Sequence, residues 1–377
     1  MPSARRPQAS KSGRDAISKR RAASAIAGRV TIVDIAAKLG LSATTVSRAL
    51  REQPGMTQAT RNRVKAAARH LGYVRNMAGA ALSSGRTHSI IYVVPETAGR
   101  FPSLYHMDVL EGLVDELALR GYTLTVVSQR TLNQSGRSVF DVFKLFRADG
   151  AVLLLVKSDG PAPAQRDFPH PVVVVNRIIK NMNADFVVAD DEDGAYRATQ
   201  YLLQLGHRHI AHLAGPADNF NTQRRRRGYV RALTDGGLDV DPQLISTATS
   251  ISEKAGRQAM RRLIDAEGSF TAVFCSVDVL ALGAMRTLHE RGLSVPDDVS
   301  LVSFDDDSFA GVLDPPLTTV RKPRYDMGRA ASRLLMKRIE GRQALPSVTA
   351  TLRTKLIVRG SAVVCTENLT RFEKAPH

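Results

Sequence analysis

Residues 31–50, TIVDIAAKLGLSATTVSRAL, decide how the first part of this chain folds. Ile32, Ile35, Ala36 and Leu39 recur at the three-and-four spacing that lines one face of a helix. Gly40 breaks that helix, and Ser42 has the right side chain to cap a second one by accepting a hydrogen bond from a free backbone N–H. In the second helix Val46, Ala49 and Leu50 fall inward, which leaves Ala43, Thr44, Ser47 and Arg48 on the other side. Two short helices meeting across Gly40-Leu41-Ser42 have helix-turn-helix form. In that form the second helix enters the major groove of DNA with its first residues toward base edges, so Ala43 and Thr44 are candidates for direct readout. Arg48, a turn later, either forks onto a guanine or clamps a phosphate. Spacing alone is equally compatible with an ordinary helical hairpin whose charges lie in water.

The charge distribution separates these readings. Residues 1–87 carry 17 Lys+Arg against three acids, Asp15, Asp34 and Glu52, a net of +14 out of +17, which leaves +3 for the other 290 residues. An excess confined to the segment with the helical hairpin is the footprint of a phosphate-binding module whose affinity falls with salt.

Length and composition bound the rest. With 377 residues, 43% of them hydrophobic, the chain can bury a large core and form two or three folding units. Its two cysteines, Cys275 and Cys365, lie far apart without a CxxC or Cys/His cluster, so neither a disulfide framework nor a metal site is expected. No apolar run approaches the roughly 20 residues needed to span a bilayer. Arg5-Arg6 is followed by polar and charged residues rather than an apolar core, which argues against twin-arginine export and for the cytoplasm.

Residues 1–29 are rich in Ser, Ala, Arg and Lys and read as a disordered basic tail, either adding DNA affinity or inert. Residues 57–73, TQATRNRVKAAARHLGY, form a third helical pattern with Thr57 as cap and Val64, Ala67, Ala68 and Leu71 as its buried stripe, completing a headpiece over 30–73. Residues 74–87, VRNMAGAALSSGRT, read as a weak short helix running into a Ser/Gly linker that needs a partner to fold.

From Ser89 onward the pattern changes. Strand-length apolar runs, SIIYVV (89–94), TLTVVS (123–128), GAVLLLV (150–156), PVVVVN (171–176), HIAHLAG (209–215), TAVFCS (271–276) and VSLVSF (299–304), alternate with helical stretches such as 108–120, 194–205, 256–265 and 278–291. This alternation predicts an α/β core of parallel sheets wrapped by helices, in two doubly wound halves. Ligands of such folds bind outside the carboxyl ends of the strands. Pro95-Glu96, Lys157-Ser158, Asp190-Asp191, Gly215 to Asn221, Asp278 and Asp305-Asp306 fall there, with Arg225 on the helix that follows. These acids and amides suit a small ligand rich in hydroxyls. Individually, Asp191, Asp305 and Asp306 are equally readable as helix caps and turn residues, and Asp278 as a cap. Arginines 224–227 cannot all face one cleft, because a helix spreads them around its axis.

The blocks VTIVDIAAKLGLSATTVSRAL, TRNRVKAAARHLGY, GYTLTVVS, ADGAVLL, VVADDEDGAYRATQYLLQLGHRHIAHLAGP, RRRGYVRAL, VFCSVDVLALGAMRTLHERGLSVPDDVSLVSFDD, PPLTTVRKP and LIVRGS together resemble the lactose-repressor (LacI/GalR) family of bacterial transcription regulators. The resemblance covers all but residues 1–29 and the last dozen. It implies an all-α helix-turn-helix headpiece joined to a core similar to periplasmic sugar-binding proteins, at 88–365, with two subdomains, three crossovers, an effector in the cleft and a short tail at 366–377. It implies a homodimer on near-palindromic double-stranded operator DNA, acting as a repressor; corepression, activation or a non-sugar ligand are the alternatives. In the family the linker folds into a hinge helix on DNA, and a leucine wedges into the minor groove. Leu82 matches that leucine, and Asn76 a residue at the start of the hinge.

Residue by residue, Ala43, Thr44 and Arg48 match base-reading positions, and Thr31, Ser42, Thr45 and Ser47 complete the DNA-facing set. Asp278 and Arg225 match the acid and the arginine that grip effector hydroxyls or carboxylates; Asp190, Asn219 and Asn221 match positions that line the same cleft. The chain departs from the pattern at Arg75, where proline commonly starts the hinge, and at Gly79, where alanine is usual and glycine costs about 1 kcal/mol in helix stability. Ile251 stands where several members stack an aromatic residue on their ligand, and the chain contains no Trp. A sugar, sugar acid or polyol fits this better than a purine.

Two other functions fit less well. An exported solute-binding protein has no use for residues 30–87. An enzyme needs chemistry that the sequence does not offer: it has no phosphate-cradling glycine loop, no GxSxG and no metal cluster. His207 and His209 precede a strand and read as structural. No cofactor, metal or membrane partner is expected.

Overall fold

The computed structural model describes residues 30–74, 86–94, 104–137, 139–154, 170–266, 269–341 and 346–366. The chain separates into two compact units, within residues 1–85 and 86–377.

Among the described residues of the first unit there are three helices, α1 (Ile32–Leu39), α2 (Ala43–Leu50) and α3 (Gln58–His70). Each starts where a side chain ties down the free N–H groups of its first turn. At α1 the Thr31 N–H and hydroxyl both donate to Asp34, at 2.8 and 2.7 Å. Ser42 Oγ accepts from the Thr45 N–H (3.0 Å) and Thr57 Oγ1 from the Thr60 N–H (3.3 Å). Gly40 ends α1 at φ 65°, a left-handed cap that glycine adopts without strain. Ile35, Ala36, Val46, Ala49, Val64, Ala67 and Ala68 close a small core, as their spacing predicts.

The second unit holds two parallel-rich sheets. In chain order its elements are β1 (Ser89–Val94), α4 (Leu104–Ala118), β2 (Thr123–Ser128), α5 (Gln129–Gln134), α6 (Val139–Phe146), β3 (Gly150–Leu154), β4 (Val172–Val175) and β5 (Asp185–Ala189). There follow α7 (Asp191–Gln204), β6 (Ile210–Ala214), α8 (Phe220–Asp235), β7 (Ile245–Thr247), α9 (Glu253–Asp265), β8 (Ala272–Cys275), α10 (Asp278–Glu290), β9 (Ser300–Asp305), β10 (Thr318–Arg321), α11 (Arg324–Glu340), β11 (Thr349–Leu352) and β12 (Lys355–Ile357). One sheet has the order β11-β5-β4-β3-β1-β2 and is parallel throughout; the other has the order β12-β10-β9-β8-β6-β7, with only β12 antiparallel.

The chain passes between the sheets three times: from β5 to α7 at Asp190, from β10 to α11 at Lys322-Pro323, and from β11 to β12 at residues 353–354. The apolar runs named above all form strands; six are buried on both faces under helices, while TLTVVS forms the part-exposed edge strand β2. Five strands carry no such run. Among them β10, TTVR, and β12, KLI, are short and part polar, and their pairing rather than their composition holds them in the sheet.

Helices α4 and α11 cross backbone to backbone. A Cβ at Gly112 would stand 2.0 Å from the Tyr325 carbonyl oxygen, and one at Gly328 would stand 2.2 Å from that of Val109. Gly328→Ala therefore forces the pair apart and is expected to destabilise the core by about 1–3 kcal/mol, read as a lower urea midpoint. An unchanged midpoint would contradict this packing.

Candidate functional site

On the first unit, α2 turns Ala43, Thr44 and Arg48 to solvent, with Ser47 and Thr45 half-buried. Thr31, Ser42 and Thr45 are engaged in the caps, since the Ser42 and Thr45 hydroxyls also share a hydrogen bond of 2.8 Å. Arg51 folds back over Ser47, donating to its hydroxyl at 2.5 Å and its carbonyl at 3.3 Å. Arg48 Nη2 donates to the Pro54 carbonyl at 3.1 Å. Residues 30–74 hold seven Lys+Arg and two acids, and both acids are paired, Asp34 with Thr31 and Glu52 with Lys65. These residues thus carry a net positive charge beside the small polar side chains of α2, which suits a groove flanked by phosphates. Asn76 and Leu82 lie outside the described residues.

On the second unit, the carboxyl ends of the strands bring charges together from both sheets. Arg225 on α8 is 2% exposed. Its Nε donates to Asp191 Oδ1 (2.8 Å), its Nη1 to the Ser276 carbonyl (2.6 Å) and its Nη2 to Asp305 Oδ1 (2.8 Å). The guanidinium carbon sits 3.7 Å from the centre of the Phe304 ring, a cation–π contact. Lys322, on the second passage between the sheets, donates to Asn176 Oδ1 at 2.6 Å and reaches Asp191 Oδ2 at 3.5 Å. Asn176 directly follows β4, so this amine joins one sheet to the other. Arg324 also bridges, from the start of α11 to the Asp305 carbonyl (2.6 Å), Asp307 (2.7 Å) and Asp108 on α4 (3.4 Å).

Buried charges survive only with partners, and the titration shifts follow. Burial alone raises Asp191, but Lys322 and Arg225 outweigh it and hold the carboxyl below the ordinary range. Burial pulls the Lys322 amine down to about 8 against the attraction of Asp191. Asp278 is pushed up to about 7 by burial and by Asp305, although Thr319 and the Asp307 N–H pull the other way.

Asp278 and Arg225, both read from the sequence, meet through one segment: Asp278 accepts from Thr319 Oγ1 (2.6 Å) and from the Asp307 N–H (2.7 Å), two residues beyond the Asp305 that Arg225 holds. The capping alternative fails for Asp278 and Asp191. Each is the first residue of its helix, with Val277 and Asp190 as the caps, and each carboxylate turns to other partners. Asp190 is the residue that caps, accepting from the Asp193 N–H at 3.4 Å, and Arg224 approaches it to 3.9 Å. Asn219 caps α8 through the N–H groups of Asn221 and Thr222, while Asn221 Oδ1 and Ser276 Oγ are buried without a hydrogen-bond partner among the described residues. Ile251 is 42% exposed in the bend before α9 and takes no part in this network. Pro95-Glu96 and Lys157-Ser158 lie outside the described residues.

Asn176, Thr319, Lys322 and Arg324 were not identified from sequence; each follows or lies in a strand whose end the cluster occupies. His207 is structural as read, its ring held by Thr271 Oγ1 (2.9 Å) and the Val363 carbonyl (3.1 Å). The described residues contain no group of acids, His and Cys arranged to hold a metal.

Because Asp278 titrates far above its ordinary 3.8 in the folded chain, the folded state keeps a proton that the unfolded chain releases between pH about 4 and about 7. Stability contributed by this group is present at the acid end of that interval and is lost as pH rises through it. Wild type should therefore lose stability relative to Asp278→Asn between those limits in urea unfolding. A difference that stays flat with pH would contradict the assignment.

Comparison with known proteins places both units. Residues 31–76 match the family of bacterial regulatory proteins of the lacI type, and residues 199–362 match the periplasmic binding protein-like domain. Over 333 residues the chain is 36% identical to the HTH-type transcriptional repressor CytR of Escherichia coli (strain K12), covering 88% of this chain and 96% of CytR. The structure of the transcriptional regulator CelR in complex with cellobiose superposes with a TM-score of 0.68 at 33% identity, over 88% of this chain and all of that one. The lac repressor dimer bound to operator and an anti-inducer gives a TM-score of 0.73 at 23% identity, over 89% and 99% of the two chains, a likeness of fold. With a helix-turn-helix unit, a two-sheet core and 36% identity to a relative over 88% of its length, the chain belongs to the lacI family of bacterial regulatory proteins and is a DNA-binding transcriptional regulator.

Proposed function

We propose that the protein is a ligand-responsive repressor that binds a near-palindromic operator as a homodimer in the cytoplasm. Its effector is a small hydroxyl-rich molecule, a sugar, sugar acid or polyol, held at the carboxyl ends of the core strands. The observation that carries this reading is the ion cluster of Asp191, Arg225, Asp305 and Lys322 at the passages between the two sheets. A ligand entering beside it gains hydrogen-bonding groups already in place, Asn221 Oδ1 and Ser276 Oγ among them, and disturbs charges that belong to both sheets at once. Differential binding to two arrangements of the sheets is what a coupling between effector and DNA requires. The cellobiose carried by CelR, at 33% identity, supports a carbohydrate-like ligand.

On DNA, Ala43, Thr44 and Arg48 read base edges, supported by Ser47 and the capping residues Thr31, Ser42 and Thr45. Asn76 and Leu82 act in the linker. In the core, the ligand site comprises Asp190, Asn219, Asn221, Arg225, Ile251 and Asp278.

The test is a titration of neutral sugars, polyols and sugar acids into the protein bound to its preferred DNA. At least one compound should change DNA affinity by a factor of about 5–150. Asp278→Ala should retain that DNA affinity and lose the response. A panel without effect, or a variant that responds like wild type, would contradict the proposal.

A further inference from the structure

We infer that the turn between α2 and α3, residues 51–57, is a positioning element that presets the side chain of Arg48 and so contributes to operator specificity. The inference rests on the reading of α2 as the recognition helix and names a device within it.

An exposed arginine samples many rotamers and loses that freedom when it grips a base. A partner that already holds it in place lessens the loss and narrows what it can grip. Here the partner is the Pro54 carbonyl, which accepts from Arg48 Nη2 at 3.1 Å. The guanidinium lies against Gly55: a Cβ built there would stand 3.4 Å from Arg48 Nη2. Gly55 has φ 88°, which side-chain-bearing residues rarely adopt, and this backbone sets the direction of the carbonyl before it. One contact on Nη2 engages one of its two N–H groups, leaving a two-pronged edge of the guanidinium for the O6 and N7 of a guanine.

The turn is itself held in place. Arg61 on α3 donates to the Gln53 carbonyl at 3.0 Å, Lys65 on α3 pairs with Glu52, and Met56 packs against the headpiece core. The Gln53 N–H closes onto the Arg48 carbonyl at 3.2 Å. Arg51, in the same turn, folds back onto Ser47 rather than onto Pro54. A turn that served only as a linker would need neither the inward carbonyl nor the anchors from α3.

The experiment measures binding of the full-length protein to its preferred DNA and to every single-base variant of one half-site, alongside random DNA. Wild type is compared with Arg48→Ala, Gly55→Ala and Arg61→Ala, and thermal unfolding is followed for each. Arg48→Ala should lower discrimination at one position by about tenfold or more. Gly55→Ala should lower discrimination several-fold at that same position, with the other positions and random DNA little changed. Arg61→Ala, which loosens the turn without touching Arg48, should shift the same position in the same direction. A merely structural role for the turn predicts a uniform loss across all sequences, and that result, or unchanged discrimination in both turn variants, overturns the inference while the groove reading stands. Unchanged discrimination in Arg48→Ala overturns the reading of Arg48 as a base-reading residue, and the positioning role falls with it.

Discussion

The core of this regulator is organised around a guanidinium it cannot expose. Arg225 is buried, and a charge removed from water is tolerated only if carboxylates and carbonyls replace the lost hydration. Its four hydrogen-bonding and stacking partners come from the start of α7, the end of β8 and the end of β9, which therefore must converge. Lys322 carries the same requirement across to Asn176 and the other sheet. Deleting one member strands the others, so the cluster behaves as a unit rather than as a sum of pairs.

In the proposed function, that arrangement is where a ligand would act on both sheets at once. The segment 305–307 is held on one side by Arg225 and Arg324 and on the other by Asp278. A group that replaced any of these partners would change the balance of charges at the passages between the sheets, and the proposed response to a ligand rests on that change. The headpiece works on different terms. Among its described residues Lys+Arg outnumber acids seven to two, and the outward face of α2 carries small polar side chains, the combination on which the proposed base reading rests.

The headpiece was legible in the sequence almost to the residue, because its determinants are local: Ser42 and Thr57 as caps, Gly40 as a breaker, Val46 and Ala49 as an inward stripe. The central strands were legible because double burial demands continuous apolar runs such as VVVV in β4. The short part-polar β10 and β12 were not, since pairing with neighbours distant in sequence holds them. At the site, the residue types Asp278 and Arg225 could be read, but their partners could not. Arg225 meets residues 34, 51 and 80 positions away, and a lone lysine after a strand, as at Lys322, has no local signature. Position at the head of a helix left the capping reading open for both: Asp191 and Asp278 sit one residue past the cap, and their carboxylates turn to Arg225 and Lys322 and to Thr319 and the Asp307 N–H.

The central claim is that the basic headpiece reads sequence, in pairs, and does not merely hold phosphates. Selection of bound sequences from a random DNA pool by the purified full-length protein, at near-physiological salt, tests it most directly. The account predicts recovery of a short near-palindrome with two related half-sites. Recovery of no consensus, or of a single unrepeated element, with and without the candidate ligands present, would contradict it.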